Sequence, residues 1–429
     1  MKQLIFLELN EINFSEMEKY ISKGKLQNFK VLFGEFGYSE TISEDRYEEL
    51  EPWIQWVTAH TGKSYGEHKV FRLGDIKDRD IPQIWEELEA KGYKVGAISP
   101  MNANNCTKDA SFFIPDPWTE TDVTGSTVDK NLYQAISQAV NDNAQSKVTL
   151  KTILWLLIGA ISNARISNYL KYLRLAMSAR NSPWAKAMFL DLLLGDLFIK
   201  QYKKKSPNFA SLFLNAGAHI QHHYMFSSAV YEGDLGNPDW YVTGGQDPVL
   251  DVYELYDSIV GEIRRVFPGV RIMLATGLHQ DPHPEVTYYW RLNKHQRFLD
   301  KIGASFDSVQ SLMSRDFLVR CKTESDTFDT ARLLESAKDA NGTPLFSVDN
   351  RGTELFVMLT YAEDISDTFV CTVNGEQYSE FKADISFVAI KNGRHNGVGY
   401  FVDTGVPKDS HPEKFPLKET PDIIKSVFA

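Results

Sequence analysis

The sequence predicts an α/β fold: a mainly parallel sheet with helices on both faces, plus a helical cap insertion. Short apolar runs alternate with segments of helical spacing, the mark of a parallel sheet covered by helices. The runs are continuously apolar, as strands buried on both faces require. One stretch, 129–205, breaks the rhythm with helical pattern alone.

In chain order, residues 3–10 (QLIFLELN) form the first strand, an apolar run that ends in polar residues. Residues 14–33 show helical spacing, with Phe14, Met17, Tyr20 and Ile21 ahead of a turn at Lys23-Gly24-Lys25. An amphipathic helix over 83–91 presents Ile84, Trp85 and Leu88; Gly92 ends it and a strand follows at 94–98. The 129–205 insertion is expected to cap the strand ends. The alternation resumes with a strand at 209–215, a helix at 249–266 and a strand at 270–275. A β-rich segment spans 340–405. No flexible linker is evident, so the chain reads as one compact domain: 1–128 as the first part of the core, 129–205 as the cap, and 206–429 as the remainder.

Composition narrows the function. With 46 basic against 57 acidic residues the net charge is −11, which argues against nucleic acid as a partner. Three cysteines (Cys106, Cys321, Cys371) show no metal-ligand spacing and no close pair, which fits a reducing, cytoplasmic location. The apolar run at Leu4–Leu7 is too short for a signal peptide. The run Ile153–Ile161 has nine residues, about half of what a spanning helix needs. Stripes on the insertion are expected to face the core. Its basic residues Lys171, Arg174, Arg180 and Lys186 offer a second reading, peripheral contact with a membrane. No Gly-rich phosphate loop is present, which disfavours kinase and dehydrogenase readings.

In an open parallel sheet, ligands bind at the carboxyl ends of the strands. The residues expected there are Asn10 and Glu11, Asn215 to His223, Thr276 to His279, and Gly393 to His395. Five of the ten histidines (His219, His222, His223, His279, His395) fall on this rim. Strand alternation places Glu8 and Asn10 on one face and Glu11 on the other. Histidines three or four apart can share a helix face and bind one metal, or simply hydrogen-bond buried backbone.

Several ordered segments resemble the alkaline-phosphatase-like superfamily, especially its type I phosphodiesterase/nucleotide pyrophosphatase branch. They include LIFLELNEINFSEMEKYISKGKLQNFKVL, EPWIQWVTAHTGKSYGEHKVF, IWEELEAKGYKVGAIS, LFLNAGAHIQHHYM, IMLATGLHQ, GRHNGVGYFVDTG and ETPDIIKSVF. The resemblance implies a Thr or Ser nucleophile attacking phosphorus or sulfur beside two divalent metals. Aligned on these segments, the ligand carboxylates fall on Asn10, Ala218 and Thr276, and the histidine after Thr276 falls on Gly277, with His279 nearby. His222 and His395 are kept. The nucleophile position falls at or beside Glu51-Pro52, with Thr58 nearer the end of that helix and Thr41 and Ser43 in the preceding loop.

Two dications on so few charges would be strongly unfavourable. The expectation is therefore one divalent metal, zinc or manganese, or none. Its ligands would come from His222, His395, His219 and Glu51, with Glu51, Asn10 and His279 as catalytic residues. Glu51 could serve as ligand, general base or nucleophile. Two functions remain open: a divergent hydrolase or transferase acting on a small-molecule or glycan- or lipid-linked phosphate or sulfate ester, or a non-catalytic binding or scaffolding protein.

Overall fold

The structure, a computed structural model, describes residues 2–141, 149–312 and 315–429; residues 142–148 of the expected insertion lie outside the described residues. The chain divides into two compact units. The larger comprises 1–233, 238–282 and 393–429, and the smaller 234–237 and 283–392.

The larger unit is built on an eight-stranded sheet. Its order is Lys414–Pro416, Ser39–Ile42, Val398–Asp403, Arg271–Ala275, Leu4–Leu9, Phe209–Leu214, Val95–Ile98, Phe112–Ile114. Leu4–Leu9 runs parallel to both its neighbours, while Val398–Asp403 runs antiparallel to Arg271–Ala275. The fold class is the α/β one expected. Side chains of the first strand alternate between two cores. Ile5, Leu7 and Leu9 pack into one, with Phe14, Leu192, Phe198 and Tyr256 from covering helices. Leu4 and Phe6 pack into the other, with Trp56, Trp85 and Ile424. Helices therefore cover both faces, and the strand is buried along its whole length.

The 14–33 pattern resolves into two helices, Phe14–Ser22 and Gln27–Phe36, separated at the expected turn. The expected insertion contains helices Thr127–Asn141, Leu150–Asn163, Tyr169–Ser178 and Ala185–Lys205. The last of these is a core helix: Leu192, Leu193, Leu197 and Phe198 are buried in the same cluster as Ala210 and Leu212 of the sheet.

The smaller unit has its own core around Trp290, Phe298, Phe317, Leu355 and Phe381. Its four-stranded antiparallel sheet has the order Phe346–Asn350, Glu354–Leu359, Asp316–Arg320, Ser308–Ser311. Glu354–Leu359 alternates half-buried and buried residues, as a one-sided sheet requires. The sequence reading drew no boundary near 283 or 392. The chain crosses there within two long strands, His279–Leu292 and Ile385–Asn396, where Pro282, Pro284 and Gly393 stand singly and form no linker-like run.

Candidate metal centre

The sheet directions decide which segments meet. The first strand, Phe209–Leu214 and Arg271–Ala275 are parallel, so the residues following them share one rim. Because Val398–Asp403 is antiparallel, its beginning lies at that same rim. Glu11, the helix Ala216–Tyr224 and His395 are thereby assembled from three distant parts of the chain.

Three side chains converge there. Glu11 Oε2 lies 3.1 Å from His222 Nε2 and 3.1 Å from His395 Nε2, and the two imidazole nitrogens are 3.2 Å apart. Among the described residues this is the one group of three or more ligand-type side chains whose ligand atoms all lie within 4.8 Å of one another. Glu11 is buried, while His222 and His395 are partly open. Burial acts to raise the Glu11 carboxyl, but the facing His395 and His222 outweigh it and hold the group well below the usual carboxylate range.

Glu11 occupies the left-handed region, with φ 61°, a conformation costing a non-glycine residue about 1–3 kcal/mol. Its neighbours fix it there. Its N–H donates to Thr276 O (3.0 Å), and its own carbonyl accepts from Gln221 Nε2 (2.7 Å). Asn10 Nδ2 donates to Glu11 Oε1 at 3.1 Å, and Gln280 Nε2 donates to Oε2. Gly393 lets the chain approach: a Cβ at that position would overlap Gln280 Oε1 and come within 2.9 Å of Gln221 O. Asp191 anchors the start of the His222 helix by accepting from Ala216 N–H (2.7 Å) and Tyr256 O–H (2.6 Å); burial pushes its carboxyl up to about 6.

The other expected site residues occupy distinct positions. Asn10 lies under the rim, on the face expected from strand alternation, where its Oδ1 accepts from Trp56 Nε1 (2.7 Å) and its Nδ2 donates to Asn215 Oδ1 (2.8 Å). It steadies Glu11 and does not itself face the histidines' ligand atoms. Glu51 is the N-cap residue of the helix Pro52–Thr61, and its Oε2 stands 3.8 Å from His395 Nδ1, behind the imidazole. His219 is exposed and is not part of the trio; its ring lies 4.9 Å from that of His223, one helical turn on. His279 is pinned through both ring nitrogens, to Val398 O and to Asp281 Oδ1 (3.2 Å). Asp281 Oδ2 in turn accepts from Asn396 Nδ2 at 2.7 Å, which braces the residue next to His395.

Sequence reasoning missed Glu11 as the partner of the two histidines. Alignment left every ligand carboxylate replaced, yet one reappears a single position after Asn10. The remaining aligned positions are used structurally. Thr276 Oγ1 accepts from Tyr400 N–H (2.8 Å), Gly277 holds φ 74° against the Trp56 ring, and Ala218 O accepts from Gln280 Nε2 (3.0 Å).

The donor set suits a divalent ion. Metal–ligand bonds of about 2.0–2.1 Å at tetrahedral angles put ligand atoms roughly 3.3 Å apart, close to the separations found. When both histidines carry their proton on Nδ1, their Nε2 atoms and the ionised Glu11 Oε2 present lone pairs to one point, the arrangement a cation accepts.

No protein-family model and no curated protein matches the sequence. Among solved structures, the chain is similar to phosphonoacetate hydrolase from Sinorhizobium meliloti in complex with phosphonoformate, at 11% identity and TM-score 0.48, covering 100% of this chain and 96% of that one. It is similar to murine ectonucleotide pyrophosphatase/phosphodiesterase 5, at 10% identity and TM-score 0.43, covering 99% and 95%. It is also similar to a TAB5 alkaline phosphatase variant with magnesium bound, at 9% identity and TM-score 0.41, covering 99% and 97%.

Proposed function

We propose that this chain is a hydrolase or transferase acting on phosphate or sulfate esters, with one divalent metal held by Glu11, His222 and His395. The observation that carries the reading is the convergence of a carboxylate oxygen and two imidazole nitrogens, 3.1–3.2 Å apart, at a strand-end rim. Three protein ligands with further positions open is the pattern of a catalytic rather than a structural metal site. When bound, such an ion polarises the ester and makes a bound water a stronger nucleophile.

The chain's own groups have separable roles in this reading. Glu11 supplies the negative charge, and Asn10 and Gln280 hold its two oxygens in place. Glu51 fixes the orientation of His395 from behind. Glu51 stands where the superfamily resemblance puts a Thr nucleophile. Its carboxylate, about one-third exposed at 34%, can take a proton from an attacking oxygen, which makes it the general-base candidate. The substrate is a small-molecule or glycan- or lipid-linked ester.

The rival reading, a non-catalytic binding or scaffolding protein, is favoured by the structural use of Thr276, Gly277 and Ala218. Elemental analysis of the dialysed protein, with His222→Ala and His395→Ala beside it, separates the two. Close to one zinc or manganese per chain is expected, falling at least about tenfold in either variant with circular dichroism unchanged. A wild-type chain that retains no metal even after metal is added back, or that turns over esters equally in both variants, overturns the proposal.

A further inference from the structure

The helix Leu150–Asn163 rests mainly on Thr127–Asn141 and also on Ala185–Lys205, and Tyr169–Ser178 rests on Ala185–Lys205, both with few buried side chains. These are Thr152, Gly159 and Asn163 on the first and Tyr172 on the second. Their apolar stripes turn the other way. Ten of the seventeen strongly exposed large apolar side chains among the described residues fall between 150 and 177. They include Leu154, Leu157, Ile161 (74% exposed), Ile166 (83%), Leu170 and Met177. The expectation that these stripes face the core is therefore corrected. The core side of the pair is narrow, with Tyr172 buried and Leu156 and Leu175 only partly so, and most core contacts of this region are made by Ala185–Lys205 instead. So concentrated an apolar surface marks an interaction site rather than ordinary surface scatter.

Charge identifies the occupant. Residues 149–190 contain six basic residues and no acidic one, in a chain whose net charge is −11. Arg165 is held by Glu262 at 2.6 Å and Lys171 by Ser258, which fasten the second helix to the unit. Lys151, Arg174, Arg180 and Lys186 remain exposed. An isologous dimer through this face would set the positive residues of one copy against those of the other. An anionic bilayer meets both features at once, taking the apolar side chains below its headgroups and the cations among them. The helices have 14 and 10 residues, about 21 and 15 Å long, short of the roughly 30 Å needed to span. No helix among the described residues is long and apolar enough to cross a membrane.

We propose that the 150–177 helix pair docks the protein flat on the surface of an anionic phospholipid bilayer. The test is co-sedimentation of the full chain with vesicles of phosphatidylcholine alone and of equimolar phosphatidylcholine and phosphatidylglycerol. At least about tenfold more binding to the anionic vesicles is expected, weakening as salt rises. The double variant Leu157→Glu/Leu170→Glu should lose at least about tenfold in binding, and Arg174→Glu/Arg180→Glu should lose the preference for anionic lipid. A second apolar-face variant, Leu154→Ser/Met177→Ser, guards against a folding defect, and circular dichroism melting should be unchanged in all three. Equal binding to both vesicles, or binding to neither, overturns the proposal. So does a stable dimer in light scattering that the Leu157→Glu/Leu170→Glu variant dissolves without any vesicle binding by the wild type.

Discussion

Glu8 and Glu11 stand three residues apart at the end of the first strand, and each faces imidazole. Glu8 points into the core beneath Trp56 and Trp85. Its Oε2 lies 3.1 Å from His60 Nε2, and neither side chain is exposed at all. Among the described residues, Glu8 Oε1 and His60 Nδ1 have no hydrogen-bond partner. Glu11 is equally buried, but both its oxygens are engaged, and its imidazoles reach solvent. The two arrangements use the same residue types for different ends. The inner pair is a closed contact with no room for a ligand, while the outer trio aims three ligand atoms at one point with an approach from outside. Residue identity alone does not distinguish a structural Glu–His contact from a candidate metal site; convergence and access do.

The largest effect that tests this contrast is on stability. Breaking a buried pair by removing one partner costs about 3–5 kcal/mol. Glu8→Ala is expected to lower the denaturant midpoint accordingly, with metal content unchanged, and Glu8→Leu/His60→Phe should recover most of the loss. If Glu8→Ala instead emptied the metal site while leaving stability alone, the two pairs would not be separate devices.

A smaller effect is expected at Gly393. A methyl group there collides with Gln280, which holds Glu11, so Gly393→Ala should cost about 1–3 kcal/mol from overpacking. Metal retention should weaken in the same variant, read by competition with a chelator. Unchanged retention would separate Gln280 from the site.

The smallest effect is that of Glu51→Gln. The carboxylate stands behind His395 at 3.8 Å and at a helix N-terminus, away from the core. Loss of about tenfold in metal affinity or turnover, with an unchanged melting temperature, is the expected result. A larger loss in turnover than in metal affinity would assign Glu51 to proton transfer instead of orientation.

Part of the rim was legible before the structure. His222 and His395 lie on the rim that the strand-end rule named, His395 through the start of an antiparallel strand, and Glu51 was singled out only by the family resemblance. Alternation correctly placed Glu8 and Asn10 on one face, and Trp56 meets Asn10 there while the neighbouring His60 meets Glu8. Glu11 was placed on the rim and on the other face, but not as a partner of the histidines. At φ 61° it ends the strand, and that turn, which alternation does not describe, aims its carboxylate at them. His219 was grouped with His222 by spacing, but on the helix it pairs with His223, four residues on.

By itself, then, the sequence determined the strand–helix alternation, the two-sided burial of the first strand and the rim on which the histidines lie. Those features are written in local periodicity, which a chain carries wherever it folds. Only the tertiary structure decided that Glu11 completes the trio, that Asn10 supports it, and that the stripes over 150–177 face outward. Each of these depends on partners outside the local pattern: Thr276 and Gln280 for Glu11, Trp56 and Asn215 for Asn10, and Thr127–Asn141 and Ala185–Lys205 for the two helices. Periodicity states that a face is apolar, and the neighbours it meets determine whether that face is buried.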